Sequence, residues 1–287
     1  MSSANENHGG VSVDEVREFW DANPVAAEGI DAEPGSAEFY KKFDAIRESD
    51  DCEPYDYSDL IHGYTTSEGL SVLDVGCGNG YVLSRYATNG AKVWGVDITP
   101  QAVELSKKRF ELSDLEGEFQ TTDGEGLPFA DNSFDIVCSM GVLHHVENPR
   151  PMVSEIARVL KPGGKVIAML YYRYSWKTIV IIRLKRLFHP DYRGKSQQEA
   201  LNMNDGAECP LALVYSKGEA RELFSAFERH TFRLNQLSWK QLFLIDRLAR
   251  LLKPILPRSS DNFVARRLGW NLYIEAYAPN DETAKSS

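Results

Sequence analysis

Hydrophobic positions near the start of the chain recur at helical spacing. Ser12 begins a capping-box pattern that is completed three residues later, and Trp20 lies on the apolar face of the helix that follows. A second amphipathic helix is predicted over residues 39–46, and residues 49–59 are acidic and rich in turn formers. These helices have little core of their own, so residues 12–68 are predicted to be a cap on a larger domain.

The chain then alternates short apolar strands with amphipathic helices. Strands are predicted over residues 70–75, 92–96, 118–121, 135–140, 165–171, 231–237 and 271–277, and helices over residues 81–87, 100–110, 149–160 and 217–227. Strand–helix–strand alternation gives a parallel sheet with right-handed crossovers. The pattern therefore predicts a doubly wound α/β fold.

A glycine cluster follows the first predicted strand, where that strand turns into a helix. The segment is LDVGCGNG, with Asp74 near the strand end and glycines at positions 76, 78 and 80. Glycine lets the backbone turn sharply and lets a ligand approach it closely. The loop therefore predicts a site for a nucleotide-like ligand.

Two nucleotide-like ligands compete for such a loop. A dinucleotide places its pyrophosphate on the helix N-terminus and favours Gly-x-Gly-x-x-Gly, whereas the spacing here is Gly-x-Gly-x-Gly. The Asp74 carboxylate would repel a pyrophosphate and attract the ammonium and sulfonium of S-adenosylmethionine, a difference of several kcal/mol at an effective dielectric of about 20. Charge favours S-adenosylmethionine, and a nicotinamide dehydrogenase is the fold-level alternative.

Acidic residues also end the next two strands. Asp97 follows the second strand and is suited to accept hydrogen bonds from both hydroxyls of a ribose. Asp123 follows the third strand and offers a carboxylate to an adenine amino group. Each acid alone has an ordinary alternative as a turn or helix-cap residue. Their order on successive strands, after Asp74 on the first, favours a nucleoside site.

The sequence resembles the class I S-adenosylmethionine-dependent methyltransferases, in particular the small-molecule group that includes ubiquinone and menaquinone methyltransferases. The similarity covers residues 70–172, through LDVGCGNG, VDITP, LPFADNSFDIVCSMGVLHHV and EIARVLKPGGKV. It implies a Rossmann-like sheet of seven strands, mostly parallel, whose last strand (271–277) is antiparallel. It also implies S-adenosylmethionine as the cofactor, held by Asp74, Gly76, Cys77, Gly78, Gly80, Asp97, Ile98, Asp123, Gly124, Ser139 and Met140.

The segment after the fourth strand departs from one branch of that superfamily. Methyltransferases that act on the exocyclic amines of nucleobases or on glutamine side chains carry an Asn/Asp-Pro-Pro-aromatic tetrad there. This chain has Ser139-Met140-Gly141-Val142. The resemblance therefore disfavours those acceptors and leaves a small-molecule acceptor.

Two adjacent histidines are the candidates for acid–base chemistry. Methyl transfer from a sulfonium depends on alignment and desolvation, and it needs a general base only when the acceptor holds its proton tightly, as a phenol or alcohol does. His144 and His145 follow the fourth strand, and His145 is preferred because the turn could aim it at the pocket. The alternative is that both histidines cap the turn.

Aromatic residues are the candidates for an acceptor pocket. Tyr171, Tyr172 and Arg173 leave the fifth strand at the same edge of the sheet, and Trp20 lies on the apolar face of the first helix. We expect these four side chains to line the pocket. The alternative is that the aromatic rings pack in the core.

The segment after the fifth strand is predicted to form a lid together with the cap. Residues 173–195 carry 7 basic side chains and 1 acidic one, and residues 241–253 form a basic amphipathic helix that either lies on a membrane or buries its apolar arc in the protein. Residues 202–210 are predicted to be a mobile loop. The acceptor should enter beneath a lid made of residues 12–64 and 172–267.

Charge excludes some partners. The 287-residue chain has 32 basic and 42 acidic side chains, a net charge of −10, which argues against nucleic acids and anionic membranes as partners. Residues 1–70 hold 17 of the acidic and 4 of the basic side chains, which leaves 25 and 28 for the rest. The acidic cap and the basic C-terminal segment are therefore predicted to attract each other when the lid closes.

Cysteine spacing and hydropathy indicate a cytoplasmic protein. Cys52, Cys77, Cys138 and Cys209 are far apart, so neither a metal site nor a disulfide framework is predicted. No apolar run approaches the roughly 18 residues of a membrane span, and the start of the chain lacks the pattern of a signal peptide.

Together these patterns predict a soluble enzyme that transfers the methyl group of S-adenosylmethionine to an O, N or C atom of a small metabolite. The alternatives are a peripheral methyltransferase of a quinone or lipid and a non-catalytic regulatory protein that binds S-adenosylmethionine. The predicted parts are a disordered tail (1–11), the cap (12–68), a cofactor-binding core (69–172), a lid region with the sixth strand (173–267), a final core strand (268–279) and a tail (280–287). The acceptor and the oligomeric state are left open.

Overall fold

A mixed β-sheet forms the centre of the molecule. The computed structural model describes residues 10–24, 29–237, 239, 242, 258 and 262–280. The strands of the sheet within these residues are β1 (Ser71–Val75), β2 (Lys92–Asp97), β3 (Glu118–Thr121), β4 (Phe134–Met140), β5 (Leu160–Tyr172), β6 (Val214–Tyr215), β7 (Glu228–Asn235) and β8 (Asn271–Tyr277).

The strand order is β3-β2-β1-β4-β5-β8-β7, and the short β6 pairs with the end of β5. Strands β1 to β5 are parallel, whereas β8 is antiparallel to both of its neighbours, β5 and β7. The predicted Rossmann-like sheet with an antiparallel last strand is confirmed, and β6 is an additional strand. The order reverses between β1 and β4, and ligands of open α/β sheets bind beside such a reversal.

Helices flank the sheet on both faces. They are α1 (Val13–Ala22), α2 (Ala37–Arg47), α3 (Tyr55–His62), α4 (Tyr81–Thr88), α5 (Pro100–Leu112), α6 (Arg150–Val159), α7 (Ile182–Phe188), α8 (Gln197–Asn202), α9 (Lys217–Leu223) and α10 (Ala265–Leu268). The predicted capping boxes at Ser12 and Ser216 are both formed. Both boxes satisfy backbone N–H groups that a helix start would otherwise leave without a partner.

Helix α3 lies in the segment that was predicted to be a turn. Pro54 precedes it and makes no side-chain cap hydrogen bond, and Gly63 ends it in the left-handed region at φ 73°. Packing holds the helix instead: the His62 ring stacks on Tyr64 at 4.8 Å, and the Tyr86 hydroxyl donates to the His62 carbonyl at 2.9 Å. The prediction was wrong because these contacts come from residues outside the helix.

Successive residues of the central strands face opposite sides of the sheet. Leu73 packs in a buried cluster with Ile156 of α6, and Val72, one residue earlier, packs in another with Phe39 of α2 and Leu83 of α4. Both strand faces are apolar, as expected for a parallel sheet that is covered on both sides. Helices of the cap therefore belong to the core packing.

A buried carboxylate fixes the cap to the last strand. Glu53 is 2% exposed and accepts hydrogen bonds from Arg47 (2.8 Å), Ser58 (2.7 Å) and Tyr273 of β8 (2.7 Å). Burial opposes its ionisation, but the positive charge of Arg47 and these hydrogen bonds keep the pKa of Glu53 below its ordinary value. The carboxylate thereby joins α2 and α3 to the sheet.

Ion pairs also join the cap to the core. Asp44 accepts from Arg109 of α5 at 2.8 Å and from Arg85 of α4 at 3.1 Å. Arg258 in the C-terminal region pairs with Asp56 at 2.6 Å. The Arg258 pair is one instance of the predicted attraction between the cap and the C-terminal region. Helices α2 and α3 are anchored on the core, so within residues 12–64 the part that can act as a lid is α1.

Three sequence predictions lie outside the described residues. These are most of the terminal tails, at residues 1–9 and 281–287, and the amphipathic helix over residues 241–253, of which only Leu242 is described. In the part of the chain that the structure describes, no helix is long and apolar enough to cross a membrane.

Candidate active site

A cavity of about 410 Å³ opens at the carboxyl ends of β1, β2, β3 and β4, and α1 covers part of it. This is the position beside the β1/β4 reversal where doubly wound sheets bind ligands. The volume lies within the usual range for small-molecule sites, about 300–1,000 Å³. One half of its wall comes from the loops after β1, β2 and β3, and the other half from α1, the turn after β4 and the start of α6.

The glycine loop forms the floor of the first half. Gly76 and Gly78 line the cavity, with φ of 82° and 55°. A Cβ on Gly76 would lie 2.2 Å from Cγ2 of Val142 on the opposite turn. Gly80 does not line the cavity; it caps α4 at φ 76°. The loop therefore needs glycine at position 76 both for its backbone conformation and for the close approach to Val142.

Cys77 lies behind this floor. Its side chain is buried and packs on Gly95 of β2, where an added Cβ would lie 2.9 Å from the Cβ of Cys77. The residue is absent from the cavity wall. Its contact with Gly95 holds the loop against β2.

Asp97 ends β2 and lines the cavity together with Ile98. One of its oxygens accepts from the Gly78 N–H at 3.0 Å, and the other accepts from the Thr99 N–H (3.0 Å) and hydroxyl (2.9 Å). Burial raises the pKa of Asp97 although these hydrogen bonds favour the ionised form. The carboxylate is thereby held at the point where the glycine loop meets the second strand.

Asp74 lies near the end of β1, behind the cavity wall, and is not among the residues that line the cavity. It is 2% exposed, and its Oδ1 has no hydrogen-bond partner within the described residues. Burial raises the pKa of Asp74 well above its ordinary value, and the nearby charge of Asp97 raises it further. A positively charged ligand group beside these two carboxylates would reverse both effects. The glycine cradle and the unpaired carboxylate oxygen are consistent with the ammonium and sulfonium of S-adenosylmethionine.

Of the two residues after β3 that were predicted to bind the adenine, only one lines the cavity. Gly124 and Glu125 line the wall, whereas Asp123 is exposed outside it, and its Oδ1 accepts from the Glu125 N–H at 2.9 Å. Asp123 thus takes the turn-residue alternative. Met140 at the end of β4 lines the cavity, and Ser139 is fully buried behind it.

His145 is the titratable side chain of the second half. Its Nδ1–H donates to the Leu211 carbonyl at 2.6 Å, which leaves Nε2 as the acceptor of the neutral ring. The ring contacts Trp20 of α1 edge-on at 4.9 Å, and both residues line the cavity. Burial lowers the pKa of His145, so the ring is neutral at neutral pH. A neutral imidazole in a ligand cavity can accept a proton.

The other predicted acceptor residues do not reach the cavity. His144 is fully buried with its ring 3.8 Å from that of Tyr171, whose hydroxyl donates to Asp205 at 2.7 Å. Arg173 forms a two-bond ion pair with Glu219, at 2.7 and 3.0 Å. Tyr172 packs on the core cluster beneath α6 and α9. Strand β5 continues through Tyr171 and Tyr172 and pairs there with β6, and neither side chain lines the cavity.

The outer part of the cavity is apolar. Val13, Val16, Leu143, Pro151 and Met152 face it together with Trp20. Among the described residues that line the cavity, the carboxylates are Asp97 and Glu125, and none is lysine or arginine. The electrostatics therefore favour a cationic ligand and an uncharged second ligand.

Sequence reasoning missed several residues of this wall. Val142, Glu125 and Asn148 line it without belonging to any predicted site, and Leu211 contributes the carbonyl that orients His145. The capping box at Ser12 located α1, and Trp20 of this helix lines the cavity as the sequence analysis expected. The Leu211 contact spans 66 residues, and no local pattern announces it.

Comparison with known proteins agrees with this geometry. The sequence model of the family described as "Methyltransferase domain" matches residues 73–168. Those residues contain the glycine loop, Asp97 and His145. Residues 73–168 are therefore similar to a methyltransferase domain. The match supports the predicted enzyme class and the predicted cofactor, S-adenosylmethionine.

The methyltransferase domain has curated relatives. The ubiquinone biosynthesis O-methyltransferase of Coxiella burnetii is 39% identical over 106 residues, which are 37% of this chain and 45% of the relative. That of Cereibacter sphaeroides is 38% identical over 100 residues, 35% of this chain and 40% of the relative. The chain thus spans less than half of the curated relatives it matches.

A solved structure shares the fold over a longer stretch. Phosphoethanolamine N-methyltransferase 2 of Haemonchus contortus, in complex with phosphomonomethylethanolamine and S-adenosylhomocysteine, has a TM-score of 0.59 at 18% identity. The match covers 94% of this chain and 61% of that one. At this identity the comparison concerns the fold alone.

Proposed function

We propose that this chain transfers the methyl group of S-adenosylmethionine to a hydroxyl group of a small, uncharged, largely apolar molecule. The observation that carries the proposal is that the glycine loop, Asp97 and a neutral His145 share one cavity whose remaining wall is apolar. The relatives that act in ubiquinone biosynthesis as O-methyltransferases support the same acceptor atom.

The residues of the cofactor half would each bind a different part of S-adenosylmethionine. The Gly76 and Gly78 backbone and the Asp74 carboxylate would hold the methionine part, and Asp97 would accept hydrogen bonds from the ribose hydroxyls. Ile98 and Gly124 would pack against the adenine. When bound, S-adenosylmethionine supplies a methyl group on a positively charged sulfur, which is already activated for in-line displacement.

The acceptor half supplies a base and excludes water. Nε2 of His145 would accept the proton of the acceptor hydroxyl, while the hydrogen bond from Nδ1 to Leu211 holds the ring in place. Trp20 and Val16 would pack on the acceptor and close the cavity to solvent. A phosphate or carboxylate on the acceptor would find no cationic side chain among the described lining residues, which favours an uncharged molecule.

Two measurements test the proposal in sequence. Calorimetric titration of the full chain with S-adenosylmethionine should give one binding site. Cell extracts supplied with cofactor should then yield a product heavier by one methylene unit, together with S-adenosylhomocysteine. Absence of cofactor binding would refute the proposal, and binding without any product would support the non-catalytic regulatory alternative.

One surface favours the alternative of a peripheral methyltransferase that acts on a quinone or lipid at a membrane. Leu187 and Phe188 at the end of α7 are 68% and 80% exposed, next to the basic Arg183, Lys185 and Arg186. Exposed apolar side chains beside basic ones bind the surface of an anionic bilayer. Co-sedimentation with anionic vesicles tests this version: Phe188→Ser should lower binding, and equal binding by the variant would exclude this surface.

A further inference from the structure

Three potential metal ligands meet behind the cavity wall. One ligand atom each from His145, Asp205 and Cys209 lies within 4.8 Å of the others. The ligand nitrogen is Nδ1 of His145, which is 4.0 Å from Sγ of Cys209. In a tetrahedral zinc site, bond lengths of about 2.1 Å to nitrogen and 2.3 Å to sulfur place these atoms about 3.6 Å apart. This pair of atoms therefore needs a contraction of about 0.4 Å, and the Asp205 oxygen, which lies within 4.8 Å of both, needs at most about 1 Å.

The segment that carries Asp205 and Cys209 is held in shape by Asn202. The Asn202 amide donates to the Pro210 carbonyl at 2.8 Å and accepts from the Ala212 N–H at 2.9 Å. The Cys209 N–H donates to the Gly206 carbonyl at 3.1 Å. These bonds hold both donors against His145 before any ion arrives, and preorganised ligands raise metal affinity.

One carboxylate oxygen of this cluster lacks a partner. Oδ1 of Asp205 accepts from the Tyr171 hydroxyl at 2.7 Å, whereas Oδ2 is buried and has no hydrogen-bond partner within the described residues. Buried polar atoms are nearly always paired with a donor, a water molecule or an ion, so this oxygen is open to a further ligand even though Lys177 already places a positive charge near Asp205. The Tyr171 hydroxyl would also orient the carboxylate, as outer partners do in metal sites.

We propose that His145, Asp205 and Cys209 form a binding site for Zn²⁺. A nitrogen, a thiolate and a carboxylate suit zinc, whereas calcium and magnesium prefer oxygen donors alone. The fourth position goes to a water molecule, because the Leu211 carbonyl is 2.6 Å from Nδ1 and has to move aside when that nitrogen binds the ion. On binding, the Cys209 thiol releases its proton to solvent.

Zinc at this site would prevent His145 from acting as a general base, a consequence that rests on the proposed function. Nδ1 now carries a proton and donates to Leu211, which leaves the lone pair on Nε2. A metal ion on Nδ1 takes the lone pair of that nitrogen, so the ring proton moves to Nε2. Nε2 then donates a hydrogen bond and no longer accepts the proton of the acceptor. Zinc is thus a reversible inhibitor that acts from behind the cavity.

Cobalt titration of the full chain tests binding without reference to activity. Co²⁺ should bind in one equivalent and give the near-ultraviolet charge-transfer band of a cobalt–thiolate bond, which Zn²⁺ should then bleach. Cys209→Ser should abolish the band, while the matched variant Cys52→Ser should keep it. Asp205→Asn should weaken binding by more than about 100-fold, because loss of outer partners alone costs about 10–100-fold.

Several results would overturn the site. These are no cobalt band in the unsubstituted chain, a band that survives Cys209→Ser, or unchanged affinity in Asp205→Asn. Circular dichroism verifies that each variant is folded, and Asp205→Asn carries the test if Cys209→Ser does not fold.

Methyl transfer is measured separately. Zn²⁺ should inhibit the unsubstituted chain and leave Cys209→Ser active, and equal inhibition of both would refute the switch. Failure to find any methylated product would refute the proposed function and leave the cobalt result intact.

Discussion

The two halves of the cavity are built in different ways. In the cofactor half, Gly76, Gly78 and Asp97 sit directly after strands, and the Gly78–Asp97 hydrogen bond joins neighbouring strand ends. In the acceptor half, Trp20 and His145 belong to segments more than a hundred residues apart, and the Leu211 carbonyl comes from a third. Backbone thus defines the cofactor half, whereas side chains from distant segments define the acceptor half.

Removal of the proposed base, His145, should give the clearest distinction between the two halves, because it should affect turnover and spare cofactor binding. His145→Ala should lower turnover by about 100- to 10,000-fold, the usual contribution of a general base, and change cofactor affinity by less than about twofold. Steady-state kinetics and calorimetry measure the two effects. His189→Ala, at an exposed histidine after α7, is the control. Unchanged turnover in His145→Ala would assign this histidine a structural role.

Loss of the ribose acceptor should have the opposite signature. Asp97→Ala should weaken S-adenosylmethionine binding by at least about 100-fold, because each hydrogen bond to a charged group contributes about 1.5–3 kcal/mol and a ribose offers two hydroxyls. Asp123→Ala is the matched control at the exposed turn and should change affinity by less than about threefold. Equal losses in both variants would return Asp123 to the cofactor site.

Two glycine substitutions distinguish the cost of an unfavourable backbone conformation from the cost of a steric clash. Gly76→Ala and Gly78→Ala both place a side chain at positive φ, but only at position 76 would the new Cβ meet Val142. Gly76→Ala should therefore reduce the free energy of unfolding by about 1–3 kcal/mol more than Gly78→Ala does. Urea unfolding measures the difference, and Val142→Ala in the Gly76→Ala background should recover part of it.

The smallest expected effect is a shift in the pH dependence of kcat/KM. In the proposed reaction the neutral ring of His145 is the active form, and burial lowers the pKa of His145 below the ordinary 6.5. kcat/KM should therefore stay constant as pH falls to 6.5 and decline only below it. Asp205 opposes the shift, so Asp205→Asn in the presence of a chelator should move the decline to still lower pH. A decline that begins above pH 6.5 would contradict a buried neutral base.

The same comparison explains what the sequence could predict. Gly76, Asp97 and Met140 line the cavity, and a position at a strand end follows from local pattern and topology alone. Asp123 was placed at the right strand end, but a hydrogen bond to the next turn directs its carboxylate away. Strand-end position fixes where a backbone lies and leaves the direction of a side chain open.

Predictions for the acceptor half depended on tertiary contacts. Tyr171 and Arg173 occupy the expected edge of the sheet, yet Asp205 and Glu219 draw their polar groups to other partners. Trp20 reaches the cavity because the capping box places it on the apolar face of α1. The helix α3 was missed for the same reason that Tyr171 was misplaced: its stabilising partners lie elsewhere in the chain.

The hydrogen bond between Tyr273 and Glu53 has a consequence for biosynthesis. Its partners are 220 residues apart, and β8 must insert between β5 and β7 before Tyr273 reaches Glu53. At about 5–20 residues per second, the ribosome adds that length in about 10–40 s. Throughout this interval the Glu53 carboxylate lacks one of its final partners. The contact between the earliest helices and the latest strand therefore forms after the contacts that join α2 to α4 and α5.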